Sequence, residues 1–330
     1  MKLELKDIKK SFEEKEVLHG VSFSVESGRA LGLLGRNGAG KTTTMRIIMD
    51  VFRANEGEVL LDGKTFKPDG SQVGYLPEER GLYPKKVVKE QMVYLAMLRG
   101  MNKKEALKST TKWLERLQVS EYTDKKLETL SKGNQQKVQL AATLVGEPEI
   151  VILDEPFSGL DPVNSQILKD VITELISEGR IVIFSSHQMS YVEEFCEDIA
   201  IINHGDVVLA GNLDEIKEQY GKGRKILSAT NYDLDGLKAV CEDKLSDKVK
   251  VLFVTKHYVV LDLNEGVDQW QILEALKTLD VDVKTFGAYE PSLNDIFVSK
   301  VGEEVVEETE EETPEEAAPK KKGLFGKGGK

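Results

Sequence analysis

The stretch GRNGAGKTT, residues 35–43, stands between the apolar run ALGLL (30–34) and the helix-like TMRIIMDVF (44–52). It fits the template G-x-x-x-x-G-K-[ST] in full, from Gly35 to Thr42. Glycine tolerates the curled backbone that turns successive N–H groups toward one centre, an arrangement that suits phosphate oxygens. A helix starting near Lys41 adds the positive end of its dipole to that centre. This reading assigns Gly35, Asn37, Gly38, Ala39, Gly40, Lys41, Thr42 and Thr43 to nucleotide binding. Lys41 would reach the β- and γ-phosphates, and Thr42 would hold a Mg²⁺ ion. The bland alternative is an ordinary glycine-rich strand-to-helix turn. The apolar run before the motif and the helical pattern after it supply the context that phosphate binding requires.

Outward from the loop, strand and helix signals alternate. Residues 2–27 have the period-two pattern of strands, and GEVLLDGKTF repeats a strand and turn. From Val87 to about Leu117 the spacing turns helical. IVILDEP (150–156) is a nearly all-apolar run ending in two carboxylates, as a strand buried in a parallel sheet would be. RIVIFSSH is a second such run, with the helix-like NSQILKDVITELISEG between them. The alternation predicts an α/β layer with a mainly parallel sheet, whose ligands sit at the carboxyl ends of strands. There Asp154 would hold Mg²⁺, directly or through water, and Glu155 would polarise a water for attack on the γ-phosphate. Two solvated acids at a strand end are a common accident, but less so downstream of a complete phosphate loop.

LETLSKGNQQKVQLAATL (127–144) resembles the signature segment of ATP-binding cassette (ABC) ATPases, whose pattern is L-S-G-G-Q before a helix. Leu130, Ser131 and Gly133 match, while Lys132 and Asn134 depart from it. Ser131 and Gly133 can still offer hydroxyl and N–H groups to a phosphate. Lys132 either adds charge there or points to solvent. Other family elements follow in order: SGLDP (158–162) is similar to the D-loop, whose Asp161 would contact an opposite subunit. VIFSSHQ carries a residue similar to the switch histidine, His187, which would sense the γ-phosphate. Phe12 stands where the family places an aromatic to stack on adenine. VGYLPEERGLYP occupies the Q-loop region, with Glu78 where most cassettes carry glutamine, and Glu78 is taken as a further Mg²⁺ ligand. The resemblance covers residues 1 to about 220 and implies a P-loop ABC ATPase fold with a helical subdomain at about 87–145. GYLPEERGLYP, LSKGNQQK and SLNDIF resemble, more narrowly, the ATP-binding subunits of type-2 exporters, including those for sodium extrusion.

Beyond Gly221 the order strand, helix, strand, strand, helix, strand predicts a small ferredoxin-like α+β domain over 221–302, with a short closing helix at PSLNDIFVSKV. No chemistry is legible in it, and packing or regulation is its expected role. EEVVEETEEETPEEAAPKKKGLFGKGGK (303–330) has few core-forming residues and is expected to be disordered. Deleting residues 303–330 should therefore leave ATPase activity and melting temperature nearly unchanged; a large fall in melting temperature on truncation would show a docked segment.

The composition narrows the function. A net charge of −12 argues against a nucleic-acid partner. The two cysteines, Cys196 and Cys241, are too far apart for a C-x-x-C metal or redox motif. The amino terminus lacks the apolar run of a signal peptide, and no stretch approaches the ~18 uninterrupted apolar residues of a membrane span. The resemblance then implies ATP and Mg²⁺ as cofactors and a second cassette as partner. It also implies a separate membrane permease that holds the chain at the cytoplasmic face of the cell membrane. A regulatory ABC ATPase outside transport, with the C-terminal domain as a binding module, is the competing reading.

Overall fold

The computed structural model describes residues 1–79 and 81–302, so the charged segment 303–330 lies outside the described residues. The first sheet joins β1 (Lys2–Phe12), β2 (Lys15–Glu26), β4 (Glu56–Leu61) and β5 (Lys64–Thr65), all antiparallel. The central sheet holds β3 (Ala30–Leu34), β6 (Val73–Leu76), β7 (Ile150–Asp154), β8 (Ile181–Ser185), β9 (Asp198–Asn203) and β10 (Asp206–Asn212). Its order is β10-β9-β3-β8-β7-β6, parallel except for the edge strand β10.

The apolar runs become strands because both of their faces are covered. Every residue of β3, β7 and β8 is buried. Period-two alternation then divides them between two cores. Leu31, Leu33, Ile150, Ile152, Ile181 and Ile183 pack with Met45, Ile47 and Ile48 of α1 (Lys41–Ile48) and with the antiparallel sheet. Ala30, Leu34, Val151, Leu153, Val182 and Phe184 face the other way, toward the remaining helices. At roughly 1.5–3 kcal/mol per fully buried large side chain, the two faces fix the register of the sheet.

A group of helices follows β6: α2 (Val88–Leu98), α3 (Lys103–Arg116) and α4 (Lys132–Leu144), called here the helical subdomain. Asn102 and Glu105 form a capping box that starts α3. The subdomain is pinned to the sheet at Glu147, which accepts from Lys112 Nζ (2.8 Å), Trp113 Nε1 (3.1 Å) and Arg180 Nη2 (2.8 Å). The helix α5 (Pro162–Ser177) links β7 to β8, and α6 (Met189–Phe195) and α7 (Leu213–Gly221) follow.

The small unit runs β11 (Arg224–Ala229), α8 (Leu234–Lys244), β12 (Val249–Val254), β13 (Val259–Leu263), α9 (Gln269–Thr278) and β14 (Val283–Ala288). Its antiparallel order β12-β13-β11-β14 is the ferredoxin-like βαββαβ arrangement the sequence predicts, around a core of its own. The closing helix α10 (Leu293–Val301) differs from expectation. Leu293, Ile296 and Val301 form an apolar stripe buried with Val192 and Phe195 of α6, not with the small unit's core. The chain thus leaves the main body at α7 and returns to it at α10.

Candidate nucleotide-binding site

Strand order assembles the site. β8 lies between β3 and β7, with Ser185 opposite Leu33 on one side and Asp154 on the other. The loops leaving the carboxyl ends of these three strands therefore meet. They line a cavity of about 770 Å³ with Arg36, Asn37, Gly38, Gly40, Lys41, Thr42, Thr43, Asp154, Glu155 and His187, joined by Glu78 from the loop after β6 and Val17 of β2. Helix α1 enters it with no side-chain cap and no acidic residue in its first turn. Its leading N–H groups and dipole are thus available to an anion in the cavity.

Two glycines make the loop possible. Gly35 sits at φ 152°, and a Cβ there would lie 2.3 Å from the Ile202 carbonyl oxygen. Gly40 sits at φ 114°, where a Cβ would come 2.5 Å from Leu18 Cδ2. Gly35→Ala meets backbone and is expected to displace the loop, sharply weakening nucleotide binding at equilibrium; unchanged ATP affinity would contradict this account. Gly35 and Ala39 do not line the cavity, and Ala39 is instead buried in the core beneath the loop.

The charged groups are held by neighbours. Lys41 Nζ donates to the carbonyls of Gly35 (2.6 Å) and Arg36 (3.1 Å). Desolvation lowers its pKa, against the pull of Glu155, Asp154 and Glu78. Asp154 is buried, accepting from Ser185 Oγ (2.6 Å) and Tyr75 Oη (3.3 Å). Burial beside this carboxylate pushes the Tyr75 hydroxyl up to about 12. Glu155 follows at φ 50°, a conformation few non-glycine residues adopt. Its N–H donates to Ser185, and its Oε2 lies 2.8 Å from His187 Nδ1. Burial raises the Glu155 pKa, and the His187 contact opposes that shift. Tyr75 and Ser185 escaped the sequence reading because only strand pairing brings them to Asp154.

The signature residues stand apart from this cavity: none of Ser131, Lys132, Gly133 and Asn134 lines it. Ser131 caps α4 by accepting from the Asn134 N–H (3.3 Å), and Asn134 Nδ2 donates to Tyr122 Oη (3.0 Å). Ser131 and Lys132 are exposed. Gly133 abuts the segment that begins α5, where a Cβ would lie 2.8 Å from Asn164 Nδ2. Asp161 caps α5, accepting from the N–H groups of Val163 and Asn164 (both 3.0 Å) and from Asn164 Nδ2 (2.5 Å). Those bonds hold its carboxylate below the usual range. Phe12, outside the cavity lining, packs edge-on to Phe52 (5.2 Å between centroids) and remains partly exposed. Glu78 is exposed, but Gln139 Nε2 of α4 reaches both flanking carbonyls, Pro77 (3.3 Å) and Glu79 (3.1 Å). The signature helix is thereby bonded to the loop that carries Glu78.

A family model described as ABC transporter matches residues 18–158, and one described as ATP-binding protein DrrA1-3-like, C-terminal domain matches residues 211–301. The Uncharacterized ABC transporter ATP-binding protein YhaQ of Bacillus subtilis (strain 168) is 39% identical over 311 residues, 91% of this chain and 98% of that one. The chain belongs to the ABC transporter ATP-binding proteins. Linearmycin resistance ATP-binding protein LnrL of the same organism is 28% identical over 309 residues, 91% of this ABC protein and 98% of the relative. A solved dimeric ATP-binding cassette in a post-hydrolysis state, bound to ADP and Pi, superposes with a TM-score of 0.58 at 25% identity. That match covers 64% of this ABC protein and 98% of the solved chain. This ABC protein is an ATP-binding and ATP-hydrolysing transporter subunit. Among its described residues no helix is long and apolar enough to cross a membrane.

Proposed function

We propose that two such subunits close head to tail, each ATP held between the phosphate loop of one and Ser131, Lys132, Gly133 and Asn134 of the other. The observation that carries this reading is the division within one chain. Lys41, Thr42, Asp154, Glu155 and His187 share a cavity, whereas none of the signature residues lines it, and Ser131 and Lys132 are exposed. In the closed pair Lys41 and the start of α1 neutralise the phosphates, and Phe12 stacks on adenine. Glu155 takes a proton from the attacking water while His187 fixes its carboxylate and faces the γ-phosphate. The second chain's signature excludes water and completes the charge stabilisation. Asp161, seated at the start of α5 next to Gly133, faces the partner.

The oxygen donors Thr42, Asp154 and Glu78 fit Mg²⁺, which favours hard oxygen ligands and keeps few protein contacts. Among the described residues no group of three or more His, Cys, Asp or Glu is placed to hold a metal ion by itself. A Mg²⁺ held there would supply Lewis-acid charge stabilisation to the phosphates. Asp154, already oriented by Ser185 and Tyr75, would hold it, and Glu78 would join once nucleotide is bound.

Closure and reopening drive a separate membrane permease that holds the subunit at the cytoplasmic face of the membrane. Exposed Tyr83, Tyr94, Met97 and Leu98, on α2 and the loop before it, supply an apolar surface for that contact. A relative named for linearmycin resistance is most simply served by outward transport, which supports export. Because Gln139 ties the Glu78 loop to the helical subdomain, Glu78 joins the nucleotide to that surface. Glu78→Ala should keep ATP binding and lose much of the permease-stimulated hydrolysis, whereas Glu78→Gln should only shift the Mg²⁺ dependence. ATPase activity against Mg²⁺ concentration, with and without reconstituted permease, tests both. Glu78→Ala matching the unaltered protein in both series would reduce Glu78 to a surface acid.

A further inference from the structure

A cleft of about 1020 Å³, larger than the nucleotide cavity, separates the main body from the small C-terminal unit. Glu193 lies on its wall, with Lys217, Arg224, Tyr289 and Ser292. Glu193 is on α6, the helix that begins two residues after His187. Its Oε1 accepts the Leu293 N–H (2.9 Å) in the first turn of α10 and pairs with Lys217 Nζ of α7 (2.6 Å). One carboxylate therefore binds both segments that connect the small unit to the main body. It also meets the positive end of the α10 dipole.

The other side of α6 touches the catalytic loop. Phe157, two residues after Glu155, stacks on Tyr191 with centroids 4.1 Å apart, and lies parallel to Phe195 at 6.0 Å. Leu293, Ile296 and Val301 of α10 share the buried cluster of Phe157, Val192 and Phe195. A seven-residue helix has little stability of its own, so its position is set by its contacts: these two, the ion pair of Glu194 with Lys169 of α5, and Val192 against Gly32 of β3. The backbone that presents His187 to Glu155 is thus held between the catalytic loop and the return of the C-terminal unit.

We propose that Glu193 is a positioning residue for hydrolysis, and that the C-terminal unit, through α7 and α10, sets the placement of His187. A shift of the small unit that breaks the Glu193 contacts frees α6, and hydrolysis slows without loss of ATP binding. This inference rests on the roles given above to Glu155 and His187.

Two measurements on the full chain test it. In Glu193→Ala, amide exchange over residues 187–195 should quicken while β7 and β8 stay protected. This readout needs no turnover, so it decides the anchor even if the ATPase reading fails. In steady state, Glu193→Ala should lower kcat about fivefold or more, with ATP affinity within about twofold of the unaltered chain. Glu193→Gln, which keeps an acceptor for the Leu293 N–H, should recover part of the loss. In a His187→Ala background, Glu193→Ala should add nothing further, because its effect passes through that histidine. Unchanged exchange over 187–195, or an undiminished loss of kcat in the His187→Ala background, would overturn the proposal.

Discussion

Glu155→Gln is expected to bind MgATP with near-normal affinity and to hydrolyse it more slowly by about 10²–10⁴-fold, the usual worth of a positioned general base. The amide preserves the shape of the side chain and its reach to His187. It removes the ability to accept a proton from water. The surroundings make that ability specific to Glu155: it is half-buried, backbone-strained, and gripped by Ser185 and His187. The neighbouring carboxylate, Asp154, already accepts from two hydroxyls and is placed to hold the metal. Single-turnover phosphate release checks the rate, and equilibrium binding checks the affinity. A Glu155→Gln protein that turns over normally would remove Glu155 from the mechanism.

Complementation between two inactive chains should be equally marked. Lys41→Ala removes the phosphate lysine, and Ser131→Arg fills the exposed start of α4 with a bulky cation. Because these residues do not share a cavity within one chain, each pure protein should fail at every composite site. In a mixed pair one site carries both defects and the other carries neither. If chains pair at random and sites act independently, an equal mixture should recover about a quarter of the unaltered activity. ATPase activity measured across mixing ratios should pass through a maximum near equal amounts. Normal hydrolysis by either variant alone, as a monomer, would show that the site is complete within one chain.

The parts of this architecture legible in the sequence are those written in neighbouring residues. The phosphate loop has its glycines, lysine and threonine at fixed offsets, and the all-apolar runs of β7 and β8 could only be strands covered on both faces. The βαββαβ order was equally plain, because each of its elements carries its own period. Contacts between distant segments were not legible. Ser185 meets Asp154 because β8 happens to pair with β7, a fact of strand order that no local pattern encodes. Gln139 reads as one more polar residue on a helix, yet it is buried and bonds the two carbonyls beside Glu78. The closing helix α10 was legible at PSLNDIFVSKV, but the surface that covers its apolar stripe was not. Phe12 and Asp161 were located by resemblance, and the geometry adds what the resemblance lacks: an edge-on partner in Phe52 and a helix cap at α5.

The claim on which the rest depends is that ATP joins two chains. Light scattering of Glu155→Gln tests it most directly, because slow hydrolysis should trap the closed pair. With MgATP the molar mass should rise to twice the 36.8 kDa of one chain, with one nucleotide retained per subunit, and should return to a single chain once nucleotide is removed. A protein that binds ATP fully while keeping the mass of one chain, at concentrations well above the ATP dissociation constant, would contradict the account.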